Sequence, residues 1–306
     1  MKKVALLIPE NCYAPEIFAL KKYLDCNTKE KISSNLISMD EFLKDQDKYD
    51  IAYRMMGFSP LFFNSIKIPE IHDYASLSTG KFISIKNALK RNFQKKPVFR
   101  TFLNENLFNE FCFNDNIPFG FRDMAVNEYF FDSYKFDYNN KEFDFCYVGE
   151  ISKERNLDEM ISFFENSNFN VLFVGENKLD NFNYKNIKFT GKVDNSSVPF
   201  FIDKCRFAIN FVPDVYPYNL QTSTKLLEYI ATGIPIVSNK YKWVDDYIKN
   251  KNISLYYFDD FNFLKDDLLE LYNKFENTKN SSQVVRWNEV FESSGLIDFL
   301  LNYKVN

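Results

Sequence analysis

Residues 143–175 read FDFCYVGEISKERNLDEMISFFENSNFNVLFVG, and the fold class follows from this stretch. Its two apolar runs, FDFCYVG at 143–149 and NVLFVG at 170–175, are continuous rather than alternating, and each stops on a glycine. Continuous runs of β-branched and aromatic residues mark strands buried on both faces. Between them, Leu157, Met160, Ile161 and Phe164 fall at i, i+3, i+4 and i+7, an apolar stripe along one side of a helix. Strand, helix and strand in that order predict two parallel strands joined by a covering helix.

The pattern extends in both directions. Downstream, strands are predicted at 187–191, 206–212, 235–239 and 253–258, with helices over 198–205, 223–232, 243–249 and 263–275. Upstream, apolar runs at 4–8, 49–56, 68–74, 97–103 and 117–123 give a similar, noisier series. The chain has 306 residues, enough for two domains of ordinary size. The polar, aromatic stretch 127–142 has no clear period and is placed at their connection. The expected division is 1–137, 138–283 and a helical segment, 284–306, that packs back on the first domain.

Composition narrows the function classes. With 45% apolar and 26% charged residues the chain is neither disordered nor fibrous. The 35 phenylalanines are spread through every apolar segment, which is the distribution of core filling. A net charge of -4 sets up no field that attracts nucleic acid, so none is expected as a partner. No apolar run reaches the ~18 residues a membrane span needs. Five scattered cysteines without C-x-x-C spacing argue against a disulfide framework or a zinc site and fit a reduced cytoplasm. The single histidine, His72, rules out multi-histidine metal centres.

In open parallel sheets ligands bind beyond the carboxyl ends of the strands, where helix N-termini present free N–H groups. Two places qualify. In VGEISKERNLDEM, Gly149 ends a strand and Arg155 opens the next helix; together they suit a diphosphate, or form a plain strand-to-helix turn with a surface arginine. In the stretch 213–239, PDVYPYNLQTSTKLLEYIATGIPIVSN, a long loop leads to Thr222, Ser223 and Thr224 and then a helix. One of these hydroxyls caps the helix, and its N–H groups with Lys225 can hold phosphate. Lys225 and Glu228 share a helical face, either as an i, i+3 ion pair or with Glu228 free to accept from a ribose diol.

The order YVGEISKERNLDEMI, VLFVG, IKFTGKV and TSTKLLEYIATGIPIVSN resembles the nucleotide-sugar domain of GT-B glycosyltransferases, particularly the family 4 type, over about residues 143–239. The resemblance implies an α/β protein of two Rossmann-like domains with parallel sheets and a cleft between them. It implies transfer of a sugar from a nucleoside diphosphate sugar to a glycan or lipid-linked acceptor, as in surface polysaccharide assembly of the bacterial type. Arg155 matches a basic position for the donor diphosphate, whereas Glu150 stands where arginine is usual. Glu228 matches the second of a glutamate pair and implies a ribose contact. Leu220, eight positions earlier, departs from the first. A variant subgroup is implied in which Ser223 or Thr224 and Lys225 handle phosphate, while the loop around Val193 contacts the base. No cofactor or metal is required by that scheme.

In the first domain the resemblance implies a group facing the cleft. The segment IHDYASLSTGK at 71–81 offers His72, to hydrogen-bond the donor sugar, and Asp73, to accept the acceptor's proton; a structural hydrogen bond is the competing reading. Arg122 and Asp123 reach the cleft or pair with each other. Between residues 81 and 104 lie seven cations, Lys81, Lys86, Lys90, Arg91, Lys95, Lys96 and Arg100, and no acid. This run is either a solvated helix face or a surface for anionic lipid, which would make the protein peripheral on the inner membrane face. The rival functions are a nucleotide-sugar epimerase of the same architecture and a non-catalytic nucleotide- or glycan-binding protein.

Overall fold

The computed structural model describes residues 1–9, 14–56, 65–78, 82–131, 137–179, 184–258, 268–275 and 284–304. Lys81 and the first part of the helix expected at 263–275 lie outside the described residues. The chain forms two compact units, one of Met1–Ala125, Leu220–Thr222 and Arg286–Asn306, the other of Val126–Asn219 and Ser223–Val285. The expected boundary at 137 lies downstream of this division. Val126 already donates its N–H to the Val285 carbonyl (3.4 Å), and Tyr129 pairs with Asn195, so the start of the connecting stretch is part of the second unit.

The first unit contains strands β1 (Lys2–Leu7), β2 (Ile32–Ile37), β3 (Ile51–Met55), β4 (Glu70–Tyr74), β5 (Phe99–Phe102) and β6 (Phe119–Phe121). They form one parallel sheet in the order β2-β1-β3-β4-β5-β6. Helices α1 (Pro15–Asn27), α2 (Met39–Asp45), α3 (Ile83–Asn92) and α4 (Glu105–Phe111) connect them. Local chemistry sets several helix starts. Ser38 and Glu41 form a capping box on α2, and the Asn104 side chain accepts from the Leu107 N–H (3.1 Å) to cap α4. Apolar residues form two clusters, and the strand register sets the strand residues of both on one face of the sheet: Met56, Tyr74, Phe102, Leu107 and Phe111 make up one, and Ala5, Leu7, Phe42 and Ala52 the other.

The second unit contains β7 (Phe143–Val148), β8 (Val171–Val174), β9 (Ile187–Phe189), β10 (Cys205–Asn210), β11 (Ile236–Asn239) and β12 (Tyr256–Phe258). Its sheet is also parallel, in the order β12-β11-β10-β7-β8-β9. Helix α5 (Leu157–Glu165) buries the four residues of its predicted stripe. Helices α6 (Val198–Asp203), α7 (Thr224–Thr232), α8 (Lys242–Lys251) and α9 (Leu268–Phe275) complete the unit. Phenylalanine fills the core as its distribution implied. Phe145 lies 5.5 Å from Phe207 and 5.7 Å from Phe164, centroid to centroid, linking two strands and α5.

The C-terminal segment belongs to the first unit as two helices, α10 (Trp287–Ser293) and α11 (Leu296–Asn302), rather than one. Gly295, at φ +70, breaks the helix, and the Ser294 hydroxyl accepts the Leu296 N–H (3.2 Å) as the second helix starts. Phe299 packs against Phe99 with centroids 4.6 Å apart, and Tyr23 meets Phe291 at 5.6 Å. Gly120 in β6 is required here, since a Cβ on it would lie 1.7 Å from the Ser294 carbonyl oxygen.

Candidate functional site

The strand order of the second unit reverses between β7 and β10. Loops leaving two such strands part in opposite directions and open a crevice at their carboxyl ends. Apart from Thr222, the donor-side residues expected from the sequence belong to this unit, and most of them stand around that reversal.

On the β7 side, the Val148 N–H donates to the Tyr229 hydroxyl (2.8 Å), which ties the strand end to α7. Gly149 follows at φ +140, and Gly175, at the end of β8, has φ +145. A Cβ on Gly175 would lie 2.1 Å from the Gly149 carbonyl oxygen, so the two loops meet backbone to backbone. The chain then makes the 3-10 turn Lys153–Arg155, with the Arg155 side chain exposed. Glu150 pairs with Lys178, which holds its carboxyl below the usual range. Val193 is half-buried in the loop that follows β9.

On the β10 side, Ser223 caps α7. Its hydroxyl accepts from the Leu226 N–H (3.4 Å) and donates to Asn210 Oδ1 (2.8 Å), anchoring the helix start to the end of β10. The Ser223 side chain is thus committed to the fold. What the helix start offers a ligand is the N–H groups of Thr224 and Lys225, its first two residues, which have no acceptor within the helix.

Lys225 bridges both sides. Its ammonium donates to the Tyr147 hydroxyl (2.8 Å) and the Phe211 carbonyl (3.1 Å) and lies 4.0 Å from the Tyr147 ring centroid. Of the two readings of Lys225 and Glu228, the i, i+3 ion pair is not formed. Desolvation and, next, the positive charge of Arg155 push the Lys225 pKa well below its ordinary value. Burial raises the Tyr147 hydroxyl to about 12, opposed by Arg155. The two cations therefore act on the same few atoms, and an anion placed there would relieve both.

Glu228 is buried, and its Oε1 accepts from Asn195 Nδ2 (3.1 Å). Burial raises its pKa to about 7, against the opposing effects of Asn195 and Lys225. Thr222 goes elsewhere. It belongs to the first unit, where its hydroxyl donates to Asp123 Oδ1 (2.6 Å).

In the first unit, His72 and Asp73 are adjacent in β4 and so point to opposite faces of the sheet. The structure does not bring them together. His72 is fully buried beside Glu70, its Nε2 3.4 Å from Oε2, and desolvation lowers its pKa. Glu70 in turn pairs with Arg54 (2.8 Å) and Lys95 (3.2 Å). Asp73 is fully buried in a bidentate pair with Arg122 (2.8 and 3.3 Å) and accepts from the Thr101 hydroxyl (2.7 Å). Arg122 thus pairs with Asp73 rather than with Asp123, the partner one of its two readings gave it.

The basic run separates by direction. Arg100 is buried in a fork with Asp115 (2.6 and 2.9 Å), Lys95 reaches Glu70, and Lys90 is buried, so these three are not part of a free cationic surface. Lys86, Arg91 and Lys96 are exposed. Beside them Phe82, Ile85 and Phe93 are 73%, 57% and 52% exposed. Among the described residues, no helix is long and apolar enough to cross a membrane.

Four contributors went unnoticed in the sequence: Tyr147, Asn210, Asn195 and Tyr129. Only Tyr147 carried a local signal, a polar-tipped ring two residues before the strand-ending glycine.

The sequence profile of the family described as glycosyl transferases group 1 matches residues 130–284. No curated protein matches the chain. Among solved structures, it is similar to a glycosyltransferase involved in avilamycin A biosynthesis, with 12% identity, TM-score 0.60 and 98% of each chain covered. It is also similar to Anabaena Alr3699/HepE in complex with UDP and glucose, with 10% identity, TM-score 0.61 and 98% and 97% covered. T4 phage β-glucosyltransferase matches with 13% identity, TM-score 0.57 and 99% and 100% covered. At these identities the shared property is the fold, that of the GT-B glycosyltransferases.

Proposed function

The chain belongs to the group 1 glycosyl transferases, and on that premise we propose that its second unit binds a nucleoside diphosphate sugar at the β7–β10 reversal and releases the nucleoside diphosphate as the sugar leaves. The observation that carries this reading is the Lys225 ammonium, held between the Tyr147 hydroxyl and the Phe211 carbonyl at the carboxyl ends of both strands. Burying a cation whose carboxylate neighbour, Glu228, forms no ion pair with it is unfavourable, and a diphosphate adds negative charge at the ammonium itself.

The roles follow from position. Lys225 and Arg155 neutralise the charge that develops on the departing diphosphate, and the N–H groups of Thr224 and Lys225 add oriented dipoles. Gly149 admits the phosphates close to the backbone. Glu228 accepts from the ribose diol, and the loop at Val193 faces the base. Neutralisation is thus carried by the protein's own cations. His72 and Asp73 we assign to holding the first unit's sheet, because each already has a buried partner.

The acceptor we read as a glycan or a lipid-linked glycan of a surface polysaccharide pathway. Exposed Phe82, Ile85 and Phe93 beside Lys86, Arg91 and Lys96 favour an anionic membrane surface as the place of work. Incubating the protein with a panel of UDP- and GDP-sugars and candidate acceptors tests the whole reading. Acceptor-dependent release of UDP or GDP supports it. Sugar isomerisation without release, or binding without turnover, overturns it.

A further inference from the structure

Behind Glu228 stands a chain of polar side chains that all donate in one direction. Asn127 Nδ2 donates to the Tyr129 hydroxyl (2.8 Å), Tyr129 donates to Asn195 Oδ1, and Asn195 Nδ2 donates to Glu228 Oε1 (3.1 Å). Asn127 Nδ2 also reaches Asn195 Oδ1 at 3.5 Å. The segments are far apart in sequence. Asn127 and Tyr129 lie before β7, Asn195 opens the 3-10 turn after β9, and Glu228 is in α7.

The direction of these bonds fixes the Asn195 amide. Turning it over would set its carbonyl against the carboxylate, and although the Tyr129 hydroxyl could then accept from the amide, the bond to Glu228 would become a repulsion. A carboxylate that is buried but receives a polarised N–H is better kept ionised than one that is merely buried. An ionised carboxylate has acceptor capacity for both hydroxyls of a vicinal diol, whereas the protonated form loses part of it.

We propose that Asn195, clamped by Tyr129 and Asn127, is a positioning residue that holds one oxygen of Glu228, keeps the group charged, and so leaves the other oxygen to accept from a ribose diol. This rests on the ribose role of Glu228 proposed above. The other titratable or charged groups facing Glu228 are Lys225 and Tyr229 of α7 itself and Tyr129 of the 3-10 turn Glu128–Phe130. Lys225 is a second source of support for the charge, so Asn195 accounts for a part of the effect. The Glu228 pKa near 7 makes that part visible at accessible pH.

The experiment is calorimetric titration of the full chain with UDP and with GDP across the pH range around neutrality, for the wild type, Glu228→Gln, Asn195→Ala, Asn195→Asp and Tyr129→Phe. The nucleotide's own ionisation is common to all five and cancels in the comparison. In the wild type, affinity should rise with pH through a midpoint near 7. Asn195→Ala should move that midpoint up by about one pH unit, the scale of a hydrogen bond to a charged group. Asn195→Asp should move it further, because two carboxylates then share the site. Tyr129→Phe should move it in the same direction by less, and it keeps the test valid should the Asn195 variants fold poorly. A structural role alone would lower stability and leave the midpoint in place. An unmoved midpoint in the Asn195 and Tyr129 variants, with Glu228→Gln weakened and its pH dependence flattened, overturns the inference and leaves the ribose reading intact. Wild-type affinity and pH dependence in Glu228→Gln overturns the ribose reading itself.

Discussion

Lys225, in the first turn of α7, places its ammonium 2.8 Å from the hydroxyl of Tyr147, near the end of β7, and 4.0 Å from the centre of its ring. One side chain thus spans the point where the second sheet changes direction. It does so without an ion pair to Glu228, three residues on, whose charge nonetheless works against the desolvation of the ammonium.

A consequence is proton uptake on binding. Desolvation and, next, the charge of Arg155 push the Lys225 pKa well below its ordinary value in the free protein. A bound diphosphate raises that pKa, and the complex takes up the difference as pH rises toward the range where the free lysine titrates. The binding enthalpy of UDP at mildly alkaline pH should therefore differ between buffers of low and high ionisation heat, and Lys225→Met should abolish the difference. Identical heats in both buffers would show that Lys225 does not change protonation.

Glu228 should be a liability in the empty protein. Its pKa is raised to about 7 from an unfolded value of about 4.3, so the folded state holds its proton more tightly. The penalty is absent below about pH 4, grows between about 4.3 and 7, and is fully present above 7. Glu228→Gln should accordingly gain up to about 4 kcal/mol in stability at pH 8 and only about 1 kcal/mol at pH 5. Urea unfolding at the two pH values measures this, and an equal change at both would contradict it.

Gly175→Ala should be among the most damaging single changes in the second unit. The added methyl group would meet the Gly149 carbonyl oxygen at 2.1 Å, with φ at +145. A loss of at least about 3 kcal/mol is expected in denaturant unfolding, together with weakened nucleotide binding as the β7 loop shifts. Gly191→Ala is the control. Its φ of +72 is strained, but nothing lies within 4 Å of the new Cβ, so its effect should be smaller.

The Asp73–Arg122 pair gives a test in the first unit. Both side chains are fully buried, so Asp73→Asn leaves a buried guanidinium without its counter-charge and should cost about 3–5 kcal/mol. Glu16, 3.7 Å from Arg122 with a pKa raised by burial, offers only partial compensation. Turnover per folded molecule should remain close to wild type, because the pair holds the sheet. A variant of normal stability and abolished turnover would return Asp73 to the reaction.

Much of the second unit was legible because continuous apolar strands and the stripe on α5 are local patterns. The first unit was harder. The β2 segment ISSNLI went unread, since an edge strand with Ser33, Ser34 and Asn35 lacks the apolar continuity of a central one. The single helix expected at the C-terminus became two because Gly295 adopts positive φ, which the periodicity on either side conceals. In the site, Lys225, Glu228 and Arg155 were visible through their spacing from glycines and helix starts. Asn195 and Tyr129 were not, because they meet Glu228 only once β9 and α7 are in place. The run of seven cations was legible only in part for a related reason. Sequence shows charge, but only folding shows that Arg100 faces Asp115 and Lys95 faces Glu70.

The most direct test of the central claim is calorimetric titration of the wild type and Lys225→Ala with UDP and GDP at low salt. At least one nucleotide should bind the wild type, and Lys225→Ala should weaken it by about 100-fold, as loss of a charge-assisted contact to phosphate implies. Equal affinity in the two proteins, or no heat from either nucleotide with the wild type, would contradict it.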